Sequence, residues 1–92
     1  MNLLPGTDPS RLCEELRQLF AAISKVPIEK INPTEPLVSY GLDSLMAFEL
    51  AAQIEERYHL VVPKGMLSDY PTLDEAARFI HSKIVRKAKQ PA

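Results

Sequence analysis

The chain has 92 residues, 46% of them hydrophobic, with 11 basic against 12 acidic side chains and a formal net charge of -1. A chain this short buries only about 60% of the surface its unfolded form exposes, so it holds one domain and not two. Balanced charge excludes a global field for polyanions, the single cysteine excludes an internal disulfide, and no apolar run reaches the roughly 20 residues of a membrane span.

The opening "MNLLPGTDPS" has neither a basic start nor a long apolar stretch, so it reads as a soft end and not as a secretory signal. The folded unit is expected at 8–87, between flexible ends at 1–7 and 88–92, in a reducing, cytoplasmic setting. Asp8 before Pro9 signals a helix start, an oxygen acceptor followed by a pre-set φ. Leu12, Leu16, Leu19 and Ile23, with Phe20 beside them, form one apolar stripe that predicts a helix over 8–24, before Pro27 interrupts. Cys13 lies on this helix and reads as a small packed hydrophobe; with no second thiol it builds no metal site.

From Ser24 to Asp43 the chain is punctuated by Pro27, Pro33 and Pro36, which predicts a long loop. Loops of that length need anchors, and Ile28, Ile31, Leu37 and Leu42 supply them, with a short helical turn near Pro27 to Lys30. A second helix is predicted over 44–58, ended by an extended link at Val61, Val62 and Pro63. "KGMLSDY" can hold one short helix. Thr72 and Glu75 make a capping-box pattern, and Leu73, Ala77, Ile80 and Ile84 stripe a last helix to about residue 87. With no strand pair and no repeat, the expected fold is all-α: a small antiparallel bundle of three main helices plus one short helix, with a long first loop.

The stretch "YGLDSLMAFEL", Tyr40 to Leu50, carries the chemistry. Asp43 and Ser44 both suit helix capping, yet only one cap is needed. Asp43 can fill that place and Gly41 frees the backbone to turn, which leaves the Ser44 hydroxyl spare at the first turn. A helix N-terminus carries about half a positive charge and unpaired N–H groups, so a phosphodiester on Ser44 would be stabilised there. Nucleophilic catalysis is disfavoured, since no base adjoins Ser44, the sequence is not a G-x-S-x-G elbow, and His59 and His81 lack a triad context.

Advancing about 100° per residue gives the second helix two apolar arcs. Met46, Ala47, Leu50, Ala51, Ile54 and Tyr58 make the core side. Leu45, Phe48 and Ala52, set among Glu49, Glu55 and Glu56, make an outer arc that suits a partner with an apolar pocket inside a basic rim.

With these residues in view, the chain resembles the acyl carrier proteins, and among them the carrier domains of modular polyketide synthases. The resemblance spans about residues 10 to 85 and centres on "GLDSLMAFEL", which fits the attachment motif Gly-x-Asp-Ser-Leu, flanked by "PTEPLVSY" and "LVVPKGMLSDYPTLDEAARFI". It implies that Ser44, framed by Gly41, Asp43 and Leu45, receives 4'-phosphopantetheine from coenzyme A through a phosphopantetheinyl transferase. Acyl or polyketide intermediates would then ride as thioesters between ketosynthase, acyltransferase and other synthase enzymes, on a monomer that catalyses nothing itself and binds no metal. Peptidyl carriers typically have histidine where this chain has Asp43, and carriers of dissociated fatty acid synthases tend to be strongly acidic, so both are alternatives of lower rank. An unmodified helical interaction module is the alternative from another class. A DNA-binding role is disfavoured, because the second helix sets Arg57 against three glutamates, and no membrane role is implied.

Overall fold

The computed structural model describes residues 8–63 and 65–89, with side chains up to residue 87. The expected flexible end at 1–7, and 90–92 of the other, lie outside the described residues. Four helices follow in order: α1 Pro9–Ser24, α2 Ser44–Tyr58, α3 Met66–Asp69 and α4 Leu73–Lys89. Short 3₁₀ turns at Ile28–Lys30 and Leu37–Tyr40 lie within the first connection, and the described residues contain no strand. This is the all-α bundle expected from the sequence.

The Asp8 carboxylate opens α1 by accepting the Ser10 N–H at 3.0 Å, and Lys25 closes it in the left-handed region, with its N–H on the Ala21 carbonyl at 2.9 Å. Leu12, Leu16 and Phe20 are buried, while Leu19 and Ile23 are only partly so. The core line is therefore i, i+4, i+8, and the stripe predicted through Leu19 and Ile23 flanks it. Helix α4 opens with Thr72 Oγ1 accepting the Glu75 N–H at 3.1 Å, the expected cap. It runs to Lys89, two residues past the expected end, because "RKAK" consists of strong helix formers and cations suited to a helix C-terminus.

The long connection is clamped from three sides. Arg17 of α1 donates from Nε to the Ile31 carbonyl at 3.0 Å and from Nη2 to the Ile28 carbonyl at 2.8 Å. The Leu37 N–H reaches the Pro71 carbonyl at 2.9 Å, and the Asp74 N–H reaches that of Pro33 at 3.0 Å, which ties the loop to the α3–α4 junction. Ile31 and Leu37 are buried in the core, and Tyr40 meets Phe20 edge-on with ring centroids 6.2 Å apart. The turn at Leu37–Tyr40 had no signal in the sequence beyond Pro36; the burial of Leu37 draws it in.

Helix α1 packs along both α4 and α2. Between α1 and α2 the Tyr58 hydroxyl donates to Glu15, whose carboxylate also lies 3.7 Å from Arg57 and 3.6 Å from Arg11. Burial raises the Tyr58 hydroxyl well above its ordinary value, and the hydrogen bond to Glu15 and that carboxylate's charge raise it further. The fold thus favours the neutral hydroxyl, so the associated stability is present below the ordinary tyrosine range and is lost as pH rises beyond about 10. Denaturant curves should show stability falling above that pH, with Tyr58→Phe flattening the fall; an unchanged slope would remove Tyr58 from the account. Leu50 and Ile54, 1% and 0% exposed, hold α2 to the core. A carboxylate at either site costs several kcal/mol against a total of about 5 to 10, so Leu50→Asp and Ile54→Asp are expected to abolish the cooperative melt seen by circular dichroism.

Candidate functional site

Gly41 ends the Leu37–Tyr40 turn at φ 90, with its N–H on the Val38 carbonyl at 3.1 Å. A Cβ there would meet nothing within 4 Å, so glycine serves the backbone angle and not the available space. Two residues later the chain is extended at Asp43, φ -121 and ψ -177, and enters α2. The Asp43 carboxylate accepts the Met46 N–H at 2.8 Å, and its carbonyl accepts the Ala47 N–H at 2.9 Å. Ser44 follows as the first helical residue and is exposed.

Asp43 is the cap, so Ser44 is not needed for capping. The N–H groups of Ser44 and Leu45 precede any i−4 carbonyl of the helix, and with the positive end of the helix dipole they favour an anion at this point. An open hollow of about 440 Å³ runs from Ser44 and Ala47 past Val38 and Leu42 to Leu67, Ser68 and Pro71, so the serine looks onto a mainly apolar trough between α2 and α3. The donor set suits a phosphate ester carrying an extended chain. It does not suit hydrolysis: His59 caps the far end of α2, about 22 Å along a helix of 15 residues at 1.5 Å per residue, and His81 sits on α4.

Cys13 gives no competing nucleophile. Burial pushes its thiol up, the Asp74 and Glu14 carboxylates push the same way, and Arg17 opposes them. A thiol kept protonated is a poor nucleophile. Among the described residues no group of His, Cys, Asp and Glu is placed to hold a metal ion, and no helix is long and apolar enough to cross a membrane.

The outer arc of α2 leaves Leu45 and Phe48 each 73% exposed, with Ala52, Glu49 and Glu56 exposed beside them. Glu55 differs from its expected place on the rim. It is half-buried, and its carboxylate accepts the Val62 N–H at 2.7 Å, which fixes the link after α2. A residue that sequence reading passed over is Val38, 67% exposed at the edge of the trough. Its signal was the pair Leu37–Val38 in a tight turn, where only one of two apolar neighbours can point inward.

Comparison with known proteins agrees with this geometry. Residues 14–80 match the model for the phosphopantetheine attachment site. The chain is 33% identical over 88 residues to an acyl carrier protein of Streptomyces coelicolor, covering 92% of this chain and 96% of that one. It is 30% identical over 76 residues to the non-reducing polyketide synthase dbaI of Emericella nidulans, covering 79% of this chain and 3% of the synthase. Among solved structures, a free-standing peptidyl carrier protein from Acinetobacter baumannii superposes with a TM-score of 0.81 at 31% identity, covering 85% of this chain and 98% of that one. The HMG-ACPI domain of the CurA module from Lyngbya majuscula superposes with a TM-score of 0.85 at 25% identity, covering 97% and 90%. The chain belongs to the phosphopantetheine-attachment family: it is a non-catalytic carrier protein, homologous with acyl carrier proteins and the carrier domains of polyketide synthases, and its cofactor is covalent 4'-phosphopantetheine.

Proposed function

We propose that Ser44 is the attachment residue and that the protein carries acyl or polyketide intermediates as thioesters between the enzymes of a synthase. The observation that carries the reading is the division of labour at the mouth of α2: Asp43 takes the Met46 N–H, and the neighbouring Ser44 is left exposed. In the attachment step the Ser44 hydroxyl oxygen attacks the pantetheine-linked phosphorus of coenzyme A. A phosphorus–oxygen bond forms as the pyrophosphate link breaks, adenosine 3',5'-bisphosphate leaves, and the serine proton passes to a base of the phosphopantetheinyl transferase. The attached arm supplies the terminal thiol on which acyl groups are held. This chain's own residues then only bind and orient, since the first-turn amides and the helix dipole face the phosphodiester.

Docking falls to the outer arc. Leu45 and Phe48 offer an apolar anchor next to the serine, and Glu49 and Glu56 offer a negative rim to basic residues of the transferase, ketosynthase or acyltransferase. Ala52 lets a partner approach the helix closely. Glu55, engaged with Val62, contributes through the fold of the link. The protein acts as a monomer in the cytoplasm. Peptidyl carriage is the second reading, favoured by the likeness to a free-standing peptidyl carrier. Loading with malonyl groups by an acyltransferase, against aminoacyl groups by an adenylating enzyme, separates the two.

Incubation with coenzyme A and a promiscuous phosphopantetheinyl transferase should raise the intact mass by one phosphopantetheine. Ser44→Ala should abolish the rise while losing at most about 1 kcal/mol of stability, because the Asp43 cap persists. A modified Ser44→Ala protein would contradict the assignment.

Phe48→Asp should leave the melting temperature nearly unchanged, since the side chain lies in water, and should slow modification or loading by removing an anchor. Glu49→Lys and Glu56→Lys should slow partner association most at low salt. If Phe48→Asp folds and is loaded at the parental rate, docking uses another surface.

A further inference from the structure

The net charge of -1 conceals a segregation along the molecule. Arg11, Arg17, Arg57 and Arg78 each lie within 3.7 Å of a carboxylate, at 3.6, 2.8, 3.7 and 3.2 Å. Lys83, Arg86 and Lys87 do not: no carboxylate among the described residues pairs with them, and the sequence from His81 to Lys89 contains no acidic residue. These three cations surround a hollow of about 370 Å³ between the last turns of α4 and the link that leaves α2, completed by His59, Leu60 and Val61.

A helix C-terminus attracts cations on its own account, and Lys87 answers that demand by donating to the His59 carbonyl at the end of α2. Lys83 is partly occupied over the Phe79 ring, 5.6 Å from its centroid. Neither contact explains Arg86, and neither explains Val61, which at 80% is the most exposed of the large hydrophobic side chains among the described residues. A dipole cap needs no hollow and no valine on its lip. A free anion in a site this open would be held by screened charge alone, whereas an apolar anchor beside carboxylates would use both Val61 and the cations.

We propose that this basic hollow docks an acidic amphipathic segment of a partner protein, with an apolar side chain against Leu60 and Val61 and carboxylates on Lys83, Arg86 and Lys87. The hollow lies at the end of α2 opposite Ser44, so a partner tethered there leaves the serine end free. The two surfaces also take partners of opposite charge, because the outer arc of α2 carries glutamates and this end carries cations. The assignment does not depend on what Ser44 carries.

The test uses the full chain and a synthetic peptide of leucines and glutamates arranged as an amphipathic helix, titrated by amide NMR. Shifts should cluster at His59–Val61 and Lys83–Lys87. The dissociation constant should rise as salt increases from about 50 to about 300 mM, and Arg86→Glu should weaken binding about tenfold or more. Val61→Asp, folded by circular dichroism, should do likewise, whereas Ser44→Ala should leave the affinity unchanged. A counterpart peptide with glutamine for glutamate should bind far more weakly. Equal binding of that counterpart, shifts centred on another surface, or indifference to both Arg86→Glu and Val61→Asp would overturn the proposal. So would binding of phosphatidylglycerol vesicles by a protein that ignores the peptide, which would make the patch a lipid surface.

Discussion

In this small structure the height of α2, and of every residue on it, is set by the anchoring of the connection from Lys25 to Asp43. A proline-broken segment of that length brings little regular structure of its own, and left loose it would set α2 at no fixed height. Burial of Ile31 and Leu37 supplies the apolar gain, and the bonds from Leu37 N–H to Pro71 and from Asp74 N–H to Pro33 set the register against the α3–α4 junction. Arg17 adds a second fixed point from α1. Gly41 and Asp43 then start α2 from a defined position, and Ser44 inherits that position. The serine is held in place by contacts none of which it makes itself.

Much of this was legible in the sequence because helices write themselves in local terms. The Asp8–Pro9 start, the Thr72 cap on the Glu75 N–H and the spacing of Leu73, Ala77 and Ile80 each concern residues within two turns of one another, and the structure keeps all of them. The opening of α2 was legible for the same reason, since a cap and the residue it frees are neighbours. What escaped was non-local. The clamps at Pro71 and Pro33 join residues 34 and 41 positions apart through backbone groups, which carry no side-chain signature. Glu55 escaped because a 100° wheel gives the direction of a Cβ, whereas a glutamate has three further bonds with which to turn back and take the Val62 N–H.

Helix α2 differs from its neighbours in having to satisfy two surfaces. Leu50 and Ile54 bind it to the core, yet Leu45 and Phe48 stay in water at its first turns, where burial would have added roughly 1.5 to 3 kcal/mol each. A chain of this size has little stability to spare, so apolar groups kept outside beside the spare serine are an expense that a purely structural helix would avoid. Surface leucines are ordinary when scattered. Leu45 and Phe48, a turn apart on the face that carries Ser44, fit the proposed partner contact better than chance scatter.

Charge follows the same division. Pairing is concentrated between α1 and the end of α2, where Glu15 gathers Arg11, Arg57 and the Tyr58 hydroxyl, and at the start of α4, where Asp74 meets Arg78. The arginines of these pairs are well exposed even where Glu15 is not, so each pair adds little to stability individually. Their consequence is subtractive, because pairing takes Arg11, Arg57 and Arg78 with Glu15 and Asp74 out of the outward field, and the glutamate rim on α2 and the cations at the end of α4 are among the charges left unpaired. A carrier has to meet several partners in turn without holding any of them tightly, and separated patches of opposite sign steer different encounters while contributing modestly to affinity. Spreading the same charges evenly would keep the net value at -1 and leave the two ends of α2 electrostatically alike. A partner would then have only the apolar contacts at Leu45 and Phe48, or at Val61, by which to distinguish the serine end from the other.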